Sequence, residues 1–335
     1  MDDDELRRHY RLSKNIVRWF CDELRDDAAL RWQRRARTVM TVEQQALCAR
    51  RFYATGSYQG QVASNRHLAV HQTAANACVR AVAKAIVRRL GPRRITFPET
   101  AEERAATQEA FLRHGSLPGL VGCVDGTFVA IKGHSKYDPT LTRALYWCRK
   151  LYCALNVMVV SDADLRILAI EPRMPGSTHD SYVWWRSWVR QEWVAGHLVR
   201  HNEYLLALAD DSSAWAASTW HTGWAIQSGP RLHESSREAL HRTSEEQIAG
   251  TIVAACAVLH NVCLCSGESE PEPQSESDSS SDEDDDEEQS VDAAGERKNL
   301  QARLCGTVLV LLSNTTHLQR VRDRLRRIRR RRQHR

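Results

Sequence analysis

Three segments of this chain carry acidic residues beside apolar runs with strand character. They are Val121-Gly122-Cys123-Val124-Asp125-Gly126-Thr127, Arg173-Met174-Pro175-Gly176-Ser177-Thr178-His179-Asp180-Ser181 about fifty residues on, and Leu205-Leu206-Ala207-Leu208-Ala209-Asp210-Asp211. Acids at the ends of strands gather at one edge of a sheet, where their oxygens hold a hard cation such as Mg²⁺. Sites of that kind cut phosphodiesters, and a chain built to make one must fold so that distant strands meet.

A length of 335 residues suits about two domains of roughly 100–200 residues each. The longest apolar stretch expected is Thr307 to Leu312, far too short to cross a bilayer. The start Met1-Asp2-Asp3-Asp4-Glu5 lacks signal-peptide character, so a soluble, intracellular protein with no membrane partner is expected. Cys21, Cys48, Cys78, Cys123, Cys148 and Cys153 are scattered, and Cys256, Cys263 and Cys265 lack the paired spacing of a zinc module. Ordinary reduced thiols follow.

Charge is distributed unevenly. Ser266 to Ser290 carries twelve acids and no Lys or Arg, so removing that segment from the formal +5 leaves +17 on the rest. A balance of that size suits a polyanionic partner, of which nucleic acid is the commonest, without specifying sequence.

From about Leu12 to Leu90 the pattern is helical. Ser13 is placed to cap Lys14 to Leu24, Thr41 to cap Val42 to Thr55, and Ala69 to Leu90 is alanine-rich with apolar spacing of three and four. A turn at Thr55-Gly56-Ser57-Tyr58-Gln59-Gly60 ahead of a helix bearing Gln72, Thr73, Asn76, Arg80 and Lys84 suits a helix-turn-helix. On that reading the side chains from His71 to Asn76 meet base edges and Arg80 and Lys84 meet phosphates. The alternative is a helical bundle packed on the next domain.

Arg93 to Thr100 reads as a linker into a helix from Ala101 to His114, after which Pro118-Gly119 breaks the chain. The period then changes. Leu120 to Lys132, Tyr152 to Ser161 and Arg166 to Glu171 are β-rich, with Asp162-Ala163-Asp164-Leu165 turning a hairpin. A tryptophan-rich helix from His179 to Val194 and a fourth strand from Tyr204 to Ala209 follow, then a helix from Glu245 to Leu264 with an Ile248, Ile252, Ala255, Val258, Leu259 stripe. Three antiparallel strands, a helix and a returning strand is the order of the ribonuclease H-like fold, with the first strand central and the fourth parallel beside it. The expected class is therefore α/β: a ribonuclease H-like mixed sheet with flanking helices, preceded by a small all-α helix-turn-helix-like region. The divisions fall at 1–92 (helical region), 93–119 (linker and helix), 120–265 (nuclease-like domain), 266–290 (acidic, disordered linker) and 291–335 (basic tail).

From about Glu5 to Leu264 these blocks resemble the DDE domain of Harbinger-type transposases and the nuclease-like proteins derived from them. The resemblance implies a metal-dependent DNA endonuclease using Mg²⁺ or Mn²⁺, with Asp125 and Asp211 as catalytic metal ligands and Asp210 as the register alternative to Asp211. Trp220 falls where the family keeps a tryptophan. The Pro175 to Ser181 block matches closely as a turn capped by Ser177 or Thr178, or with His179 or Asp180 facing the metal edge. Tyr146, Arg149 and Lys150 resemble the family's Tyr-x-x-Arg-Lys at the start of the second strand, in contact with DNA phosphate. In the last matching block, Ala254 to Asn261, His260 and Asn261 read as helix caps.

The departure from the family lies between Trp220 and Glu234. The family carries a third acid on a helix beyond the second aspartate, but here Gln227-Ser228-Gly229-Pro230 runs straight into Arg231-Leu232-His233-Glu234. Glu234 is the nearest substitute; Glu238, Glu245 and Glu246 are the other acids in reach of that segment. The expected function is a transposase-derived nuclease impaired by that loss, or alternatively a nuclear DNA-binding or protein-interaction module that no longer cuts; a skipped exon is the third explanation of the gap. Leu318 to Arg335 holds ten arginines and reads as a nuclear import signal or nucleic-acid contact, against a solvated helix end. A protein partner for the acidic linker or the basic tail completes the expected set.

Overall fold

Apolar residues every three to four positions, with polar residues where helices must start, give the amino-terminal part its helices. The computed structural model describes residues 3–10, 12–30, 40–55, 72–114, 118–131, 133, 142–198, 200, 202–207 and 244–266. Its first elements are α1 (Asp3–Tyr10), α2 (Lys14–Leu24), a 3₁₀ turn (Ala28–Leu30), α3 (Val42–Thr55), α4 (Gln72–Arg89), the short α5 (Gly91–Arg94) and α6 (Ala101–Arg113). Ser13 occupies the N-cap of α2. Thr41 accepts from the Gln44 N–H at 3.1 Å while its own N–H donates to Gln44 Oε1 at 2.9 Å. Thr100 and Glu103 close the same reciprocal box on α6.

The α4 helix is buried through Ala75, Cys78, Val79, Val82, Ala83, Ala85 and Ile86, and it packs on α3 and on the last helix of the chain. One apolar cluster joins this helical part to a face of the sheet. The segment expected to turn between α3 and α4 lies outside the described residues, as do the acidic linker and the basic tail.

Beyond Gly119 the chain becomes β-structured: β1 (Leu120–Ala130), α7 (Thr142–Tyr146), β2 (Ala154–Ser161) and β3 (Ile167–Pro175), then α8 (Asp180–Arg186), α9 (Trp188–Val194), β4 (Tyr204–Ala207) and α10 (Ser244–Cys265). The sheet runs β3-β2-β1-β4. β1 is antiparallel to β2 and parallel to β4, and β2 is antiparallel to β3. This is the mixed α/β arrangement expected of a ribonuclease H-like fold. The β2–β3 hairpin turns as expected at Asp162, whose Oδ1 accepts from the N–H groups of Asp164 and Arg166 at 3.0 and 2.8 Å.

Helices cover both faces. α3, α4 and α10 pack on Val129, Leu155, Val157 and Val159. On the other face Met158, Val160 and Leu168 meet Val183, Trp184, Val189 and Trp193 of α8 and α9.

Three expectations are corrected. The single helix from His179 to Val194 is two, because Ser187 takes an extended conformation (φ −69°, ψ 147°) and its hydroxyl serves both ends, donating to the Trp184 carbonyl and accepting from the Arg190 N–H. An apolar stretch longer than Thr307 to Leu312 does exist: Glu246–Cys265 is long and apolar enough to cross a membrane, yet 67% of it is buried. It is the core helix between α4 and β3, apolar on all sides for that reason. His260 and Asn261 do not cap α10. They point from its body, His260 Nε2 lying 3.0 Å from the Leu165 carbonyl. Asn261 accepts from Ile167 N–H at 2.9 Å and donates to the carbonyls of Ile167 and Arg94 at 2.7 and 2.6 Å. It thereby satisfies the free edge of β3. The described cysteines form no disulfide.

Candidate active site

Among the described residues β4 pairs with β1 as far as Val124, which stands opposite Ala207, and β2 follows β1 on to Ala130. Asp125 is the residue of β1 that follows Val124, the last one paired with a described residue of β4. Its side chain is half-buried, and its Oδ1 accepts from the Gly126 N–H at 2.9 Å.

Asp180 reaches β1 at the next residue, Gly126, on the side of the pleat opposite to the one from which the Asp125 side chain leaves the strand. Pro175-Gly176 ends β3 in a turn closed by Thr178 N–H to the Pro175 carbonyl (3.0 Å) and by Ser177 N–H to the Leu145 carbonyl (3.0 Å). Gly176 is required there, because a β-carbon would stand 2.6 Å from the Tyr146 carbonyl oxygen and 2.7 Å from that of Ala154. The turn thus locks onto Tyr146, so two blocks separated in sequence explain each other. The N-cap of α8 is His179, not Ser177 or Thr178; its side chain accepts from the Ser181 N–H. Asp180 opens the helix.

The carboxylate of Asp180 lies over Gly126: a β-carbon on that glycine would be 2.5 Å from Oδ1 and 3.1 Å from Oδ2. Only glycine lets β1 and the α8 start approach so closely. Asn156, a buried polar residue in the all-buried β2, holds the group by donating from Nδ2 to Asp180 Oδ1 at 2.7 Å and to the Thr178 carbonyl at 2.8 Å. Asp180 itself is exposed. Sequence reading named it as one way the block could face the metal edge but left it out of the site. It missed Asn156 altogether, although a lone amide inside an apolar strand was the signal.

Asp125 and Asp180 offer carboxylate oxygens, the donor type that Mg²⁺ and Mn²⁺ take. Among the described residues no three His, Cys, Asp or Glu gather closely enough to hold a metal ion. Asp211, Asp210, Trp220 and Glu234 lie outside the described residues; the last described residue of β4, Ala207, precedes Asp211 by four positions. Arg149 and Lys150 are exposed on the turn before β2 rather than in the strand, with the Arg149 guanidinium 5.8 Å from the Phe128 ring centroid. Gln72 and Thr73 open α4; Arg80 Nε donates to Asn76 Oδ1 at 2.8 Å, and Lys84 is exposed. This second set belongs to the helical layer on the face opposite α8.

A mixed four-stranded sheet with a central first strand, a parallel fourth strand alongside and helices on both faces is the arrangement of ribonuclease H-like folds. Residues 124–212 match the family model described as DDE superfamily endonuclease. The chain carries that domain and is related over most of its length to a nuclease derived from a Harbinger transposase. It is 27% identical over 288 residues to the Bos taurus protein named "Putative nuclease HARBI1", covering 78% of each chain. The Homo sapiens protein of the same name is 27% identical over 289 residues and the Xenopus laevis one 26% over 284, again with 78% of each chain covered. No solved structure matches.

Proposed function

We propose that this chain hydrolyses DNA phosphodiester bonds with Mg²⁺ or Mn²⁺ held by Asp125 and Asp180, joined by Asp211 from beyond the end of β4. The observation that supports the reading is the seating of the Asp180 carboxylate on Gly126, the residue that follows Asp125 in β1. A bound divalent cation would supply positive charge to the phosphate and favour deprotonation of the attacking water. Asn156 keeps the Asp180 carboxylate turned toward β1, and Arg149 and Lys150 approach the phosphates from the same face of the sheet.

Supercoiled plasmid nicking in Mg²⁺ or Mn²⁺ tests this. Asp125→Asn and Asp180→Asn should each lower the rate by at least about 100-fold. Nicking that persists undiminished in Asp125→Asn removes the site. The loss of the family's third-acid segment between Trp220 and Glu234 favours a second reading, a transposase-derived module that binds DNA without cutting. Its signature is a salt-dependent mobility shift with no metal requirement and no nicking in either ion. In both readings Gln72, Thr73, Asn76, Arg80 and Lys84 contribute to DNA binding, Glu234 is the outside candidate for a further acid, and the arginines of the tail direct the chain to the nucleus.

A further inference from the structure

We infer that Leu151 is a wedge that enters the stacked bases of duplex DNA; the inference rests on the nuclease reading above and deepens it. The turn from Trp147 to Leu151 is tightly built. Trp147 bridges to Cys153 across it, the Cys148 N–H donates to the Tyr152 carbonyl at 2.9 Å, and the Leu151 N–H donates to the Cys148 carbonyl at 3.0 Å. Cys148 and Cys153 are buried beneath it. Leu151 projects from this base, 75% exposed as a residue, with its backbone left-handed, at φ 66°. Glycine or asparagine is the usual occupant of that conformation. A leucine there is strained and recovers nothing by burial, so its apolar surface is held ready for something outside the chain.

The surroundings identify that partner as polyanionic. From Thr142 to Ser161 there is no Asp or Glu. Lys150 is exposed, the Arg149 guanidinium stands 5.8 Å from the Phe128 ring, and that of Arg143 stands 4.8 Å from the half-exposed Trp147 ring. Phe128 lies two residues along β1 from Gly126, on the same side of the pleat and roughly 6.6 Å away. The Arg149 guanidinium therefore stands on the face of β1 that Asp180 covers. An apolar tip with cations on either side is how architectural proteins unstack a base step while gripping both phosphate strands.

The test uses the full chain with EDTA and a duplex carrying 2-aminopurine at a central TA step, so that cutting plays no part. Wild type should raise the 2-aminopurine fluorescence several-fold at saturation. Leu151→Ala should abolish most of that rise while changing the affinity less than about threefold, and Leu151→Gly should do the same while raising Tm, because the backbone strain is gone. Arg149→Ala with Lys150→Ala should weaken binding and flatten its salt dependence. Saturated binding without a rise, or a full rise in Leu151→Ala, overturns the wedge but leaves the nuclease reading intact. Loss of nicking in Asp125→Asn with the rise preserved separates the two in the other direction. Self-association that depends on Leu151, with no unstacking, assigns the tip to a second copy of the chain and overturns the proposal.

Discussion

Asn156 donates at 2.7 Å to Oδ1 of Asp180, reaching the acid from the adjacent strand rather than from the acid's own helix. The same Nδ2 donates to the Thr178 carbonyl, which fixes the amide's orientation, since the reversed group would set oxygen against oxygen. Asn156 Oδ1 is buried with no partner among the described residues. The residue therefore costs stability that an apolar side chain would recover, and what it provides is the direction of Asp180. In Asn156→Leu the free energy of urea unfolding should change by less than about 1 kcal/mol. Mn²⁺ affinity, read from the free-ion EPR signal, should fall about 10–100-fold, the range for losing a partner that orients a ligand. Unchanged affinity would make Asn156 a purely structural residue.

A second amide fastens the scaffold. Asn261 is fully buried and makes three hydrogen bonds, two to Ile167 on the edge of β3 and one to Arg94 at the end of α5. Asn261→Ala leaves those backbone groups buried without partners. At about 1–3 kcal/mol for each unsatisfied group, partly relieved by relaxation, the loss should be about 3 kcal/mol. Asn261→Asp retains only the acceptor and should lie between the two. A denaturation midpoint within error of wild type for Asn261→Ala would contradict this account.

What the residues disclosed in advance was local. Thr41 marks a helix start because a cap bonds within its own turn, and Asp162 marks the hairpin for the same reason; Ser13 stands at the N-cap of α2 without a side-chain capping bond. The β-rich runs then left few ways to order four strands. The break at Ser187 was hidden because the tryptophan-rich segment keeps helical spacing across it. His260 and Asn261 looked like caps because their partners, Leu165 and Ile167, are 95 and 94 residues away. Asp180 was visible as an acid in a recognisable block, but its approach to Gly126 is tertiary and no spacing encodes it.

The hairpin carboxylate makes stability pH-dependent. Burial pushes Asp162 up from the ordinary 3.8 to about 6, with Asp164 adding to the rise and the Arg166 backbone N–H and guanidinium opposing it. A raised folded value means the folded state holds its proton longer, so this contribution is complete below about pH 4 and is lost as pH climbs to about 6. Two pKa units correspond to about 3 kcal/mol, which solvent screening of the half-buried group reduces to about 1–2 kcal/mol. Asp162→Asn keeps an oxygen for the Asp164 and Arg166 N–H groups. It should match wild type near pH 4 and exceed it by that amount at pH 7 in urea titrations. Parallel stability curves for the two proteins from pH 4 to 7 would rule the effect out.

The register of β4, which sets Ala207 opposite Val124, is fixed from α6. Arg104 and Glu203 form an ion pair with side chains only 8% and 7% exposed. Arg104 Nη1 donates to Glu203 Oε2 at 2.6 Å, and both terminal nitrogens donate to the Leu198 carbonyl at 3.2 Å. Gln108 and the Arg200 N–H complete the carboxylate's partners. Glu203 immediately precedes β4, whose Tyr204 N–H donates to the Gly119 carbonyl at 2.9 Å as the strand joins β1. Arg104→Met should cost about 3–5 kcal/mol, because it abandons a buried carboxylate. Adding Glu203→Met should recover more than half of that loss, since two apolar groups replace a desolvated pair. The double-mutant cycle, run by chemical denaturation, fails if the second change adds to the damage. Under conditions where circular dichroism still reports folded protein, nicking by Arg104→Met should already be reduced: without its anchor at Glu203, β4 no longer brings the chain toward Asp211 in fixed register beside Asp125.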